Sequence, residues 1–145
     1  MENIINIIKT FFENVDKRDW ETVKELMRDT IFLDYSSING NPATELNSSE
    51  VVSSWASFLP GFDRTNHQIF YFKETKNEND AEIYFGGKAE HFIKQDIWVV
   101  EGSYNVKLIL ENNKWLISEL KFNFDKQYGN LELPTLASER MEVLK

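Results

Sequence analysis

The chain has 145 residues, of which 41% are hydrophobic and 28% charged, with no cysteine and a formal net charge of −8. This length predicts one domain spanning residues 1–145, and the acidic balance argues against nucleic acid or an anionic membrane as a partner. Without cysteine the chain has no disulfide and no thiol nucleophile. The first residues are too acidic for a secretory leader or a membrane span. Both observations favour a cytoplasmic location.

The amino-terminal part of the chain shows helical patterns around one strand. Apolar residues recur at helical spacing from Ile4 to Val15, which predicts a first helix. Asp19 is a suitable N-cap for a short second helix, and the run "TIFLDYSS" predicts a strand that ends in the turn "INGNP". Ser48 or Ser49 is expected to cap a third helix, which ends before a Pro-Gly pair.

From Asn66 the pattern changes to a period of two. Four strand-like runs follow, "HQIFYFKET", "AEIYFGGKAEHFI", "IWVVEGSYNVKLILE" and "KWLISELKFNF", and short polar breaks between them predict an antiparallel meander. Gly86 and Gly87 indicate a bulge or bend that lets the sheet curl. The order of elements predicts an α+β domain, in which a cone-shaped antiparallel sheet wraps around the first helix and leaves a cavity.

Strand parity restricts which polar side chains can face such a cavity together, because residues two apart share a face. The only two histidines, His67 and His91, both lie on apolar stripes. Ser103 and Asn105 share a face and therefore enter the cavity together or not at all, whereas Tyr104 takes the other face. From the pattern alone, a structural or solvent-facing role is the more common one for each of these polar residues.

These elements carry a resemblance to a known family. The segments "VDKRDW", "TIFLDYSS", "TNHQI", "DAEIYFGGKAEHF", "EGSYNV" and "KWLISELKF" together resemble the SnoaL-like branch of the nuclear-transport-factor-like superfamily. Within that branch the chain is most similar to scytalone dehydratase and its relatives, over about residues 11–125. The resemblance implies a cofactor-free hydro-lyase that removes water from a cyclic hydroxy-ketone through an enol-like intermediate.

The resemblance also implies a set of site residues. One departure concerns Val15, which stands where the family has a second tyrosine beside the helix-end carboxylate. The matching catalytic positions are His67, His91, Asp16, Tyr35 and Ser103, and the matching substrate-binding position is Asn105.

Each group has a role in the implied elimination. His67 would take the α-proton and return it to the departing hydroxyl, and Ser103 would orient it. Asp16 would hydrogen-bond His91, which together with the Asn of the Ser-x-Asn pair would hold the substrate's oxygens. Tyr35 would donate a hydrogen bond to the carbonyl.

Two other functions remain open at this stage. Asp34 and Tyr35 point to opposite faces of their strand, and an inward Asp34 would make the site resemble that of the ketosteroid isomerases, which move a proton between carbons. A non-catalytic small-molecule binding module would lack the contacts predicted for the two histidines.

The remaining expectations concern ligands, assembly and the tail. No metal-ligand spacing or glycine-rich cofactor loop is present in the sequence, so we expect no metal and no cofactor, and a small apolar or aromatic hydroxy-carbonyl compound as ligand. As in relatives, we expect a homo-oligomer, dimer or trimer, formed through the outer sheet face. The tail, residues 131–145, is expected either to be a lid with Leu131, Leu133 and Leu136 beneath it or to be a mobile terminus.

Overall fold

The computed structural model describes residues 3–144 of the chain. Its helices are α1 (Ile4–Lys17), α2 (Trp20–Glu25), α3 (Ser36–Asn39), α4 (Ser48–Ala56) and α5 (Leu133–Val143), with a 3-10 turn at Leu59–Gly61. Its strands are β1 (Met27–Asp34), β2 (Thr44–Asn47), β3 (Arg64–Lys76), β4 (Asp80–Ile93), β5 (Asp96–Glu111) and β6 (Lys114–Gly129).

The six strands form one curled, unclosed sheet in the order β2-β1-β6-β5-β4-β3. Strands β3 to β6 are the predicted antiparallel meander, and the predicted α+β class with an amino-terminal helix in the curl is confirmed. Strand β1 lies parallel to β6, and β2 is an edge strand antiparallel to β1. The sequence did not predict β2, because this short segment is mostly polar and has no apolar alternation.

Helix α1 packs its apolar stripe into the concave face of the sheet. Ile4, Ile8 and Phe11 are almost completely buried there. Burying one such side chain stabilises a fold by about 1.5–3 kcal/mol, so this stripe supplies a large part of the core. Phe12 lies on the same helix and lines the cavity that is left between helix and sheet.

The start of α4 differs from the prediction by one residue. Asn47, and neither Ser48 nor Ser49, is the N-cap. The Asn47 side chain accepts a hydrogen bond from the Glu50 backbone N–H, and the Glu50 side chain accepts one from the Asn47 backbone N–H. This reciprocal capping box satisfies two free N–H groups, whereas a cap at Ser48 or Ser49 would have a valine at N3 and would satisfy one.

The Gly86-Gly87 pair allows aromatic rings to approach both faces of β4. A Cβ atom on Gly86 would lie 2.5 Å from the Phe70 ring on the outer face, and one on Gly87 would lie 2.5 Å from the Tyr104 ring on the inner face. The bulge itself is on the neighbouring strand at Tyr71, which has a positive φ of 59°. Gly87 therefore leaves the space that the Tyr104 ring occupies on the inner face, and Gly86 leaves that of Phe70 on the outer face.

The outer sheet face is mostly polar, with Phe70 and Tyr84 partly exposed on it. Self-association through this face stays a prediction. Within residues 3–144, no helix combines the length and the apolar character needed to span a membrane.

Candidate functional site

A cavity of about 510 Å³ opens between α1, α4 and the concave face of the sheet. His67 and His91 both line it, on the neighbouring strands β3 and β4. Among the described residues, none of the side chains that line the cavity is an aspartate, glutamate, lysine or arginine. The walls are mainly aromatic, from Phe12, Trp55, Phe58, Trp98 and Phe122.

Asp16 pairs with His67, so the predicted contact between Asp16 and His91 is wrong. Asp16 lies in the last turn of α1, where β3 passes the end of the helix. Its Oδ2 accepts a hydrogen bond from the His67 backbone N–H at 2.7 Å, and its Oδ1 lies 2.6 Å from His67 Nδ1. The Thr65 hydroxyl donates to the same Oδ1 at 2.9 Å.

These contacts define the tautomer of His67. A carboxylate that already accepts bonds from a backbone N–H and a hydroxyl acts as the acceptor, so Nδ1 of His67 carries the proton. The lone pair is then on Nε2. Among the described residues, Nε2 of His67 has no hydrogen-bond partner. This atom is accessible to solvent and His67 lines the cavity, so Nε2 faces the cavity.

His91 takes a backbone partner instead of a carboxylate. Its Nδ1 lies 3.0 Å from the Trp98 carbonyl oxygen, which can only accept, so Nδ1 is protonated in the neutral ring. The pKa of His91 is lowered to about 4, mainly by burial and also by nearby His67, while the hydrogen bond to the Trp98 carbonyl and the charge of Asp16 oppose the shift. At neutral pH His91 is therefore an uncharged ring with an acceptor at Nε2, 6.4 Å from His67 between ring centroids.

Ser103 and Asn105 do not line the cavity, and the predicted contact between Ser103 and His67 is wrong. Asn123 Nδ2 donates to Ser103 Oγ at 3.2 Å and to Asn105 Oδ1 at 2.8 Å, on the outer face of the sheet. Parity grouped the two residues correctly, but the other face of β5 points inward. That face carries Trp98 and Tyr104, whose rings gain more from leaving water than two small polar side chains do.

Tyr35 lines the cavity, and Asp34 does not. The Asp34 carboxylate accepts hydrogen bonds from the Ser36 backbone N–H at 3.0 Å and the Ser36 hydroxyl at 2.7 Å. These bonds lower the pKa of Asp34, which stays an ionised cap on the solvent side. The isomerase alternative therefore loses the inward carboxylate on which it depended.

Tyr104 is a cavity residue that the site assignment from the sequence missed. It is 5% exposed, and its ring stacks on Phe85 at 5.1 Å between centroids. Trp55 and Gln127 were missed as well, and Gln127 accepts a hydrogen bond from the Trp98 indole at 2.9 Å. The apolar character of the Trp98 face of β5 was the signal that could have placed Tyr104 inside.

The tail forms α5, which packs beside the 3-10 turn at the rim of the cavity. Leu133 is fully buried and Pro134 lines the cavity, and the role of the tail as a lid stays a prediction. Leu131 and Leu136 are 56% and 40% exposed, so they do not form its underside. One buried leucine replaces the three-leucine underside because Leu131 precedes α5 and Leu136 lies at the margin of the face that Leu133 and Ala137 bury.

Replacing Arg140 by alanine should loosen this helix. Arg140 donates hydrogen bonds to the Gly61 carbonyl oxygen at 2.9 Å and to Asp63 Oδ1 at 3.0 Å. Because both contacts are near the surface, we expect a loss of about 1 kcal/mol in the local opening free energy of α5, measured as faster amide hydrogen exchange in residues 133–143. Glu139→Ala, an exposed change on the same helix, is the control. Equal exchange in the two variants would contradict the clamp.

Three comparisons place these features among known proteins. The sequence matches the family model for the SnoaL-like domain over residues 1–121. No curated protein matches it.

Within residues 3–144, no group of three or more histidine, aspartate or glutamate side chains has the arrangement to hold a metal ion.

Several solved structures share the fold. The Kfla4162 protein of Kribbella flavida has a TM-score of 0.85 at 23% identity, over 91% of this chain and 94% of that chain. A provisionally named scytalone dehydratase from Novosphingobium aromaticivorans has a TM-score of 0.72 at 13% identity, over 86% and 83% of the two chains. A hexachlorocyclohexane dehydrochlorinase from Novosphingobium barchaimii has a TM-score of 0.70 at 11% identity, over 88% of each chain. With a family match that spans most of its length, the chain belongs to the SnoaL-like domain family.

Proposed function

We propose that the protein is a cofactor-independent lyase that removes water from a small, uncharged, cyclic hydroxy-carbonyl compound. The single observation that carries the proposal is the Asp16–His67 pair, in which Nδ1 is held by a carboxylate at 2.6 Å and Nε2 opens to an aromatic cavity. An imidazole oriented in this way is a general base with its lone pair aimed at the ligand.

The elimination proceeds in two proton transfers. His67 Nε2 takes the proton from the carbon beside the carbonyl, and the electrons of the broken C–H bond move into an enolate. The enolate then re-forms its carbonyl and makes a carbon–carbon double bond as the bond from the β-carbon to the hydroxyl oxygen breaks. The imidazolium returns its proton to the departing oxygen, so the products are an enone and water, and His67 is neutral again. Asp16 stabilises the transient imidazolium.

The other polar groups bind without gaining or losing a proton in this scheme. His91 presents an acceptor at Nε2 and stays uncharged, so it suits a hydroxyl that donates to it. Tyr35 keeps its proton because burial raises the pKa of its hydroxyl, which makes it a donor for the carbonyl oxygen. Since no lysine or arginine is among the described residues lining the cavity, a full carboxylate or phosphate on the substrate would have no oppositely charged partner there.

The structural neighbours support an elimination by analogy. One is named a scytalone dehydratase and another a hexachlorocyclohexane dehydrochlorinase. Both names describe the loss of hydrogen together with a leaving group. At 13% and 11% identity the likeness shows a shared fold, so the assignment to this chain rests on its own residues.

A panel of cyclic β-hydroxy-ketones tests the proposal. Enone formation, followed by ultraviolet absorbance and confirmed by mass, is expected for uncharged members of the panel and not for matched carboxylates. Saturable binding of these compounds with no enone above the buffer rate would contradict the lyase and favour the binding module. Migration of a double bond without loss of water would favour an isomerase.

A further inference from the structure

Tyr104 has a buried hydroxyl with no hydrogen-bond partner. Tyr104 is 5% exposed, and its hydroxyl makes no hydrogen bond to any of the described residues. The oxygen is not one of the atoms sealed from solvent, and Tyr104 lines the cavity, so the hydroxyl opens inward. A buried hydroxyl without a partner costs about 1–3 kcal/mol, so its partner must come from the contents of the cavity.

A second tyrosine hydroxyl in the cavity also lacks a hydrogen-bond partner. Tyr35 also lines the cavity and also has no hydrogen-bond partner among the described residues. Both rings contact Phe122, at centroid distances of 5.0 Å for Tyr104 and 5.8 Å for Tyr35, and the hydroxyls are close enough to interact electrostatically. Burial raises the pKa of both hydroxyls, and the charges that Tyr35 and Asp16 can carry raise that of Tyr104 further. Both therefore stay protonated at neutral pH and can donate.

Tyr104 also lies close to the proposed base. Phe12 contacts the rings of both Tyr104, at 5.1 Å, and His67, at 5.4 Å. Asp16 places a negative charge in this region, which disfavours a second negative charge on a bound oxygen. An oxygen that gains negative charge beside Asp16 therefore needs more than one donor, and a carbonyl oxygen has two lone pairs with which to accept two hydrogen bonds.

We propose that Tyr104 and Tyr35 together bind one carbonyl oxygen of the substrate and stabilise the enolate that forms on it, which makes Tyr104 a second catalytic hydrogen-bond donor. The proposal rests on the proposed lyase function for the identity of the oxygen. It places the reacting carbonyl between two phenols, beside Phe122, and directs the adjacent C–H bond towards His67. It selects substrates whose carbonyl is unhindered on both sides, because two donors must reach one atom.

A phenol that ionises near neutral pH tests the donor pair without any turnover. Its phenolate is a planar ring with an anionic oxygen, and 4-nitrophenol reports its own ionisation by absorbance. We expect wild-type protein to bind the anion in preference to the neutral phenol, so the pKa of the bound compound falls. Tyr104→Phe and Tyr35→Phe should each weaken anion binding by about 10- to 100-fold, as for lost hydrogen bonds to a charged group, and affect the neutral form much less.

Both substitutions keep the ring contacts, so the variants should fold, and thermal unfolding checks that they do. Tyr84→Phe is the matched control, because Tyr84 is 41% exposed on the outer sheet face. Anion binding by Tyr104→Phe equal to that of wild type would overturn the proposal, and so would a wild-type protein that binds only the neutral phenol or none at millimolar concentration. Loss of anion preference in Tyr104→Phe alongside absent dehydration would keep the donor pair and reject the proposed lyase reaction.

Discussion

Replacing His67 by glutamine should lower the rate of water elimination by about 10²- to 10⁴-fold, the usual contribution of a general base. Asp16→Asn should cause a loss of similar order, because an amide cannot hold the Nδ1–H tautomer or stabilise the imidazolium as the carboxylate at 2.6 Å does. Both effects should appear in kcat more than in KM, since neither group is required to bind the neutral substrate.

Proton abstraction can be measured apart from elimination. A cyclic ketone that lacks the β-hydroxyl should exchange its α-protons for deuterium in D₂O when wild-type protein is present, and NMR follows the exchange. His67→Gln and Asp16→Asn should slow this exchange as strongly as they slow elimination.

Asp34→Asn is the matched control for the carboxylate, because Asp34 lies outside the cavity and caps Ser36. Its activity should equal that of wild type. Full α-proton exchange in His67→Gln, or its loss in Asp34→Asn, would contradict the assignment of His67 as the base.

Acidification should destabilise the protein through His91. Burial lowers the pKa of this ring from 6.5 to about 4, so between these values the unfolded chain binds a proton that the folded protein does not. The free energy of unfolding therefore falls as the pH decreases through this interval. A shift of this size corresponds to about 3 kcal/mol, fully lost below the folded pKa and fully present above the unfolded one.

The comparison of wild type with His91→Gln isolates this contribution. The charged or titratable groups that affect His91 are His67 and Asp16, and both are retained in the variant. Urea unfolding from neutral pH down to about pH 4 should show a shallower pH dependence for His91→Gln than for wild type. The same slope in both proteins would mean that His91 is protonated in the folded state.

Local patterns in the sequence predicted the main elements because they depend only on the period of each element. The apolar stripe of α1 and the alternation of β3 to β6 placed the helix inside a curled meander. Parity alone grouped Ser103 with Asn105 and separated both from Tyr104. It also put His67 and His91 on apolar stripes, and both line the cavity.

The partner of Asp16 could not be predicted in the same way. Asp16 meets His67 because β3 passes the end of α1, and it does not meet His91 because the Trp98 carbonyl takes that ring's Nδ1. Each outcome depends on how two elements distant in sequence cross, which a local pattern does not encode. The apolar character of the Trp98 side of β5 favours that side as the inward face. The family resemblance favoured the side of Ser103 and Asn105, and this expectation was wrong.

The sequence by itself therefore determined the α+β class and the order of the meander, since periodic burial is a local property of each element, and it put both histidines on apolar stripes. Only the tertiary structure decided that Asp16 orients His67, that Tyr104 replaces Ser103 and Asn105 inside, and that β1 lies parallel to β6. These features arise from contacts between remote segments, where side-chain size, desolvation and available hydrogen-bond partners select one arrangement among several that the same pattern allows.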